Sequence, residues 1–536
     1  MPKIILYKKS KKVFFTIFQS LSIILFVSSF SFINQTLNSD NINEEDLELI
    51  FVYQHVRHGV RGPSSSYNSL FKDGVDEFGV SWEGEGDGEL TLVGKRQHYD
   101  LGVRNRIRYG TGENGLGLID FSKYNTEEVL FHVTDYNRTH QSLNSQLLGM
   151  YKPGILKSLN PEEVQGSFPP NAEKWFSSSK PIYSEILEEI NSLENQTLID
   201  SIPIFNVHPF GENRIFNLEN NCKNLDNLRE ESLKGKDDLL YGYFLEHKEK
   251  LKEFFGFKDY SYFTNIRMMN SITDHYLSDY KSFKNLSMFQ EITGIKLEEF
   301  YEKSTKFYYD WLYNYYCTNK TCVMESSRLM EDLLGYMERR KKYHPNITYY
   351  APKLVIDCGH DTTVGPMQMF MYEAWKHKPE YGVITKYCGF ASNIYFELYK
   401  TKEGQNHYYV FYYIDEELIH IFDYDEFIET IRSHIYTQEN ITEYCMTDEE
   451  KEKEKEKEEE NKDKEEKKCK YEKESFSESF KHHKGLWISL FIFIFTTILG
   501  IIGIAYLFLK IRHSQKLSGK INTTGEANMK LMESLE

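Results

Sequence analysis

The sequence predicts an α/β fold: a largely parallel sheet with helices on both faces, a helical insert, and one membrane-spanning helix near the C-terminus. Three junctions, each an apolar strand running into polar residues and then into a helical pattern, predict the sheet. Leu49-Ile50-Phe51-Val52-Tyr53 leads into Arg57-His58-Gly59-Val60-Arg61-Gly62-Pro63. Val129-Leu130-Phe131-His132-Val133 leads into Asp135-Tyr136-Asn137-Arg138-Thr139 and a helical pattern over 141–151. Lys353-Leu354-Val355-Ile356 leads into Asp357-Cys358-Gly359-His360-Asp361-Thr362-Thr363, and the helix then runs through Met367, Met369 and Trp375. In open α/β sheets ligands bind at the carboxyl ends of strands, near helix N-termini whose free amides favour anions. Where the three ends converge, Arg57, His58, Arg61, Arg138, His360 and Asp361 surround one pocket.

The chemistry of the first junction is specific. Two guanidiniums present planar forks of donors that match the oxygens of a tetrahedral dianion. The imidazole between them can attack phosphorus, being neutral near physiological pH and nucleophilic at nitrogen. His55, three residues earlier, reads as packing or support for this turn. Gly84-Glu85-Gly86-Asp87-Gly88-Glu89 is an acidic turn that does not match a nucleotide loop.

The rest of the 536 residues divides by composition. Lys8, Lys9, Lys11 and Lys12 precede an apolar run over 13–31, and Ser29-Phe30-Ser31 supplies small residues at cleavage spacing. Residues 1–33 therefore read as a signal peptide, with an uncleaved anchor as the alternative. Residues 485–509 carry no charge and are long enough to span a bilayer at about 1.5 Å per residue. Lys510, Arg512, Lys516 and Lys520 follow, which places the tail over 510–536 in the cytosol. Gly500, Gly503 and Ala505 would let two such helices approach closely, so a homodimer is left open. Between them, 448–484 is a Glu/Lys stalk without an apolar period. The layout is that of a single-pass type I membrane protein, with a main domain over 47–447 outside the cytosol, in a lysosomal or secretory lumen or on the cell exterior. A formal net charge of −17 argues against a nucleic-acid partner.

Within the main domain, about 186–345 is polar and aromatic with helical spacing, as at Leu239, Leu240, Tyr243, Phe244, Leu251, Phe254 and Phe255. This reads as an insert that shapes the pocket rim, with His208 a candidate for substrate contact. Seven cysteines without Cys-x-x-Cys spacing suit an oxidising compartment and give no zinc pattern. Sequons at Asn195, Asn285, Asn319, Asn346 and Asn440 are candidate glycosylation sites; Asn34 is set aside because it lies beside the cleavage point.

Arg57-His58-Gly59-Val60-Arg61-Gly62-Pro63, Arg138-Thr139 and His360-Asp361 together resemble the signatures of the histidine acid phosphatases, in the branch that includes the prostatic and lysosomal enzymes. Leu90-Thr91 with Gly94, Gln97, Leu101-Gly102 and Arg104 resembles the helix after the first strand of that family. The similarity runs from about residue 47 to Cys445. It implies a phosphoglycerate-mutase-like three-layer α/β/α sandwich with a helical insert. It also implies hydrolysis of phosphate monoesters, on small molecules or phosphoproteins, through a phosphohistidine on His58. Arg57, Arg61, Arg138 and His360 would bind the phosphate, and Asp361 would donate a proton to the leaving alcohol. No metal or cofactor is implied. A carboxyl close to bound phosphate should have a raised pKa. The resemblance further implies a Cys222–Cys445 disulfide and a pairing of Cys388 with Cys317, or else Cys322, with Cys358 free. Asn137 stands where the family commonly has Asp, and Asn137-Arg138-Thr139 is a sequon expected to stay unmodified beside the phosphate site. Ser64-Ser65 replaces the Thr-Lys of many bacterial phytases. An inositol-polyphosphate phosphatase and a catalytically silent receptor or adhesion ectodomain are the alternatives.

Overall fold

The computed structural model describes residues 44–63, 75–82, 88–113, 115–151, 202–207, 222–348, 350–404, 406–482, 485, 488–507 and 509–510. The signal segment, Asn195, His208, Ser64-Ser65 and the tail beyond 510 lie outside the described residues; of the stretch expected as helical insert, Phe205–Val207 is instead a strand of the main sheet, so the insert begins after it. The chain forms two units, Met1–Cys445 and Met446–Glu536.

A seven-stranded sheet organises the first unit, in the order β3-β2-β4-β1-β5-β6-β7. The strands are β1 (Leu47–Arg57), β2 (Val129–Thr134), β3 (Phe205–Val207), β4 (Leu354–Gly359), β5 (Asn393–Thr401), β6 (Tyr408–Ile414) and β7 (Glu417–Asp423). β1 lies near the middle and is buried at every position but Glu48, as a near-continuous apolar strand covered on both faces must be. The sheet is mixed. β3, β2, β4 and β1 are parallel, and β5, β6 and β7 continue it antiparallel. The sheet expected to be largely parallel is therefore parallel in only three of its six pairings among the described residues, those that join β3, β2, β4 and β1. Its antiparallel half is a meander whose Asp415-Glu416 turn takes positive φ at both residues, as a tight hairpin requires.

Helices α1 (Leu92–Tyr109) and α2 (Asn137–Met150) follow β1 and β2. Thr91 caps α1 by accepting from Gly94 N at 3.1 Å. The two helices meet through glycines: a Cβ on Gly102 would overlap the Gln146 carbonyl, and one on Gly149 the Tyr99 carbonyl. The insert contains α3 (Leu225–Leu233), α4 (Asp237–Glu246), α5 (Lys248–Phe255), α6 (Ile266–Lys281), α7 (Ser287–Thr293), α8 (Leu297–Trp311), a π-helical turn over Leu312–Tyr316, and α9 (Asn319–Tyr343). Leu240, Phe244 and Leu251 are in its core, with Tyr243, Phe254 and Phe255 packed against them; Leu239 is exposed, contrary to the sequence reading. After β4 comes α10 (Asp361–Trp375), and the unit closes with α11 (Tyr424–His434) and α12 (Gln438–Cys445).

A disulfide joins Cys222, at the entry to α3, to Cys445 at the end of α12. The second expected pairing is corrected. Cys317 bonds to Cys322 across the start of α9, and Cys388 is a free thiol, as is Cys358. Cys317 and Cys322 lie about one helical turn apart, whereas the Cys388 sulfur is buried against Tyr313 Oη and Gln368 Nε2, both at 3.4 Å. Asn285, Asn346 and Asn440 are exposed.

In the second unit, α13 (Asp448–His482) begins at a capping box: Thr447 N donates to Glu450 Oε2 at 3.1 Å, and Glu450 N donates back to Thr447 Oγ1 at 3.4 Å. The helix Ile488–Leu507 has a mean hydropathy of 2.6 and is long and apolar enough to cross a membrane.

Candidate active site

The turn after β1 is held by the residues that follow it. Val60 N donates to Gln97 Oε1 at 2.9 Å, and the Thr91 hydroxyl donates to Val60 O at 2.9 Å. Gly59 N donates to Ser142 Oγ on α2 at 3.2 Å. Gly59 and Gly94 face each other backbone to backbone, where a Cβ on either would collide. Behind the turn, His98 Nε2 donates to Arg57 O at 3.0 Å, and burial pushes its pKa down to about 4. His55 Nε2 contacts Thr363 Oγ1 at 2.8 Å, a supporting role for the third junction.

His58 is buried, and its Nδ1 lies 2.8 Å from Gly59 O. A carbonyl only accepts, so Nδ1 carries the proton and the Nε2 lone pair is left for chemistry. Burial first, then the charges of Arg138, His360, Arg57 and Arg61, hold its pKa well below the ordinary histidine value. The same four residues expected from sequence therefore act on one ring. The His360 ring meets it edge-on at 5.3 Å between centroids. His360 Nε2 lies 2.9 Å from Thr134 Oγ1, whose own hydrogen goes to Thr139 Oγ1 at 3.2 Å. His360 thus donates from Nε2, and burial together with Arg138 keeps it neutral as well.

Arg57 spans the floor. Its Nη1 donates to Cys388 O at 2.6 Å, its Nη2 pairs with Asp361 Oδ2 at 2.9 Å, and its Nε is buried without a hydrogen-bond partner among the described residues. Phe390 lies over the guanidinium at 4.4 Å and beside His58 at 6.1 Å. It reaches there because Ala391 takes φ 62°, with its N–H donating to His58 O at 3.1 Å. Arg138, in the first turn of α2, stacks on Tyr136 at 4.4 Å, and Tyr136 meets the His360 ring edge at 5.0 Å. Arg61 Nη2 is clamped by both oxygens of Asp274 on α6, at 3.1 and 2.9 Å.

Asp361 opens α10 and is buried. Burial pushes its pKa up, but Arg57 and a hydrogen bond from Tyr308 Oη outweigh this, so the carboxyl lies below the usual carboxylate range. This is opposite to the direction expected beside bound phosphate, because the protein's own groups around it are cation and donor. Three guanidiniums and two carboxylates give these residues a net positive charge suited to a dianion.

The structure brings together all six residues expected from the three junctions. Asp274, Tyr308, Phe390 and Thr134 escaped sequence reasoning. Asp274 and Tyr308 come from the insert, which reaches the site itself as well as its rim. Among the described residues, no cluster of three or more His, Cys, Asp or Glu side chains is placed to hold a metal ion.

The family model "Histidine phosphatase superfamily (branch 2)" matches residues 48–415. Prostatic acid phosphatase of Mus musculus is 26% identical over 374 residues, 69% of this chain and 79% of that protein. Lysosomal acid phosphatase of Xenopus laevis is 34% identical over 151 residues, 26% of this chain and 32% of that protein, so the chain spans about a third of that relative's length. Among solved structures, the phytase of Citrobacter braakii is 12% identical, covering 75% of this chain and 100% of that one, with a TM-score of 0.47. With the family model matched across β1, β2, β4 and the site they carry, the chain belongs to branch 2 of the histidine phosphatase superfamily.

Proposed function

We propose that the protein is an acid phosphatase that hydrolyses phosphate monoesters through a phosphohistidine on His58. The observation that carries this reading is the His58 ring, with Nδ1–H spent on Gly59 O and Nε2 available among Arg57, Arg61, Arg138 and His360. Its lowered pKa keeps it unprotonated in acid, where an ordinary imidazole would be blocked. The Nε2 lone pair forms the N–P bond as the ester P–O bond breaks, and the Asp361 carboxyl passes its proton to the leaving oxygen. Water then attacks phosphorus, Asp361 takes a proton from it, and the N–P bond breaks to release phosphate. The guanidiniums stabilise the equatorial oxygens throughout, and His360 joins them by turning its Nε2–H from Thr134 Oγ1 to a phosphate oxygen. A dianion beside Asp361 competes for Arg57 and opposes the carboxylate charge, which brings the carboxyl back to its protonated form.

Glu89 accepts from Asn137 Nδ2 at 3.2 Å and Gln141 Nε2 at 3.0 Å, so a carboxylate sits at the start of the helix that carries Arg138. That supports a substrate with one phosphate over a polyphosphate. The same amide contact gives Asn137 a structural use in place of a glycan. We place the catalytic unit in a lumen or outside the cell, tethered through the stalk and the helix Ile488–Leu507; the charge and sequon pattern support this.

The test separates two roles. His58→Ala abolishes turnover of every monoester. Asp361→Asn slows alkyl phosphates by about 10²–10⁴-fold, but p-nitrophenyl phosphate only mildly, because that phenolate leaves unaided. Equal losses on both substrates would remove Asp361 from the proton-donor role.

A further inference from the structure

We propose that Tyr308 is a positioning residue for the reaction: its phenol, brought in by the insert, holds the Asp361 carboxyl and decides when that group carries its proton. The inference rests on the phosphatase reading above and extends it to a residue outside the three junctions.

The geometry is built rather than incidental. Tyr308 is buried, its hydroxyl donates to Asp361 Oδ2, and that same oxygen takes Arg57 Nη2 at 2.9 Å. The other oxygen, Oδ1, accepts from Thr362 N at 2.8 Å. The carboxyl therefore has one fixed rotamer and two donors on the oxygen shared with Arg57. The phenol is held in turn. Its ring packs on Trp311 at 5.1 Å and meets Tyr387 edge-on at 6.1 Å. Immediately after it, Tyr309 Oη contacts Thr385 Oγ1 at 2.8 Å, and Tyr313 Oη donates to Lys386 O at 3.1 Å. The segment so pinned continues into Cys388, whose carbonyl takes Arg57 Nη1. Tyr308 and Arg57 are thus fixed to one piece of backbone. The π-helical turn over Leu312–Tyr316 follows α8, and such turns concentrate at functional sites.

The consequence is chemical. A donor to the charged form of a carboxyl favours that form, so Tyr308 opposes protonation of Asp361 until a dianion takes Arg57 away. The other charged and titratable groups around Asp361 are Arg57 and Arg61 from β1 and its turn, His360 beside it, Tyr387 and Cys388 from the 387–392 loop, and Asp274 from α6, which acts on Tyr308. Burial, Asp361 and Asp274 keep Tyr308 itself protonated far beyond the working pH, so it acts only as a hydrogen-bond donor.

The test is the pH profile of kcat/KM, which reports the free enzyme's essential acid. In the full chain, Tyr308→Phe moves the basic limb for an alkyl phosphate up by about one pH unit, as loss of one donor to a carboxylate should. The limb for p-nitrophenyl phosphate does not follow. Incorporating 3-fluorotyrosine at position 308, a stronger donor of nearly the same shape, moves the alkyl limb the other way and serves if the Phe variant folds poorly. An alkyl limb unmoved by both changes, or equal movement for both substrates, overturns the proposal. Asp361→Asn run alongside keeps the failures apart. If its loss does not depend on the leaving group, the proton-donor reading has failed; if it does and the limb is unmoved, only the role of Tyr308 has.

Discussion

Asp361 and Arg61 show how the site divides its charge. In the proposed reaction Arg57 faces a carboxylate that becomes a proton donor, so their pair opens. Arg61 faces Asp274, which accepts through both oxygens and has no part in the chemistry, so their pair can stay closed. Both pairs are buried, and a buried ion pair that loses one member leaves the other uncompensated. Asp274→Ala is therefore expected to destabilise the catalytic unit by about 3–5 kcal/mol. Thermal or denaturant unfolding would show it, and a loss below about 1 kcal/mol would mean that Arg61 finds another acceptor. The neutral pair His58 and His360 works differently. Each ring has its tautomer set by a single oxygen, Gly59 O or Thr134 Oγ1, so the site has a defined lone pair without a charged partner for either imidazole.

At the level of elements, α1 and α2 control where Arg138 stands. They touch through Gly102 and Gly149 with backbone against backbone, so added volume cannot be absorbed by a side chain turning away. Gly102→Ala is expected to cost at least about 1–3 kcal/mol by overpacking, and to raise KM because α2 carries Arg138 at its start. Unchanged stability and KM together would show that α1 can retreat without taking the site with it. The elements legible in the sequence were those whose pattern and chemistry coincide: β1 with its Arg-His-Gly turn, β2 with Arg138, and β4 with His360-Asp361. Each ends an apolar strand on charged residues, and a parallel sheet puts such ends side by side. The antiparallel strands β5–β7 have no such signature; the Tyr- and Phe-rich runs of β5 and β6 are buried on both faces and say nothing of direction. Tyr308 and Asp274 were illegible for another reason. Each lies in an amphipathic helix with ordinary spacing, and only the docking of the insert gives it a partner in the site. The Cys317–Cys322 bond was missed because the resemblance suggested a distant partner where a π turn brings a near one.

At the scale of the first unit, the insert holds one buried carboxyl that favours acid. Asp279 on α6 is buried beside Asp76, and Trp82 Nε1 bridges them, donating to Asp76 Oδ2 and Asp279 Oδ1 at 3.0 Å each. Burial, then the Asp76 carboxyl, then Glu77, which is paired with His275 at 2.7 Å, push Asp279 far above the usual carboxylate range. A group whose folded pKa is raised contributes stability that is complete below its unfolded value of about 3.9 and declines as pH climbs towards the folded one. Asp279→Asn should thus leave the melting temperature nearly unchanged at pH 4 and raise it at pH 7. A variant equally less stable at both would assign Asp279 a purely structural role. The Cys222–Cys445 bond has a mechanical meaning as well. Any pull reaching the catalytic unit from residue 446 onward arrives at Cys445, whose small helix is otherwise buried chiefly through Ile441. The covalent link passes that load directly to Cys222 at the mouth of the insert, bypassing α12, β7 and the strands behind them. Tension from that side is then borne at the start of α3, and the sheet that holds His58 in register is spared from being unzipped from its C-terminal edge.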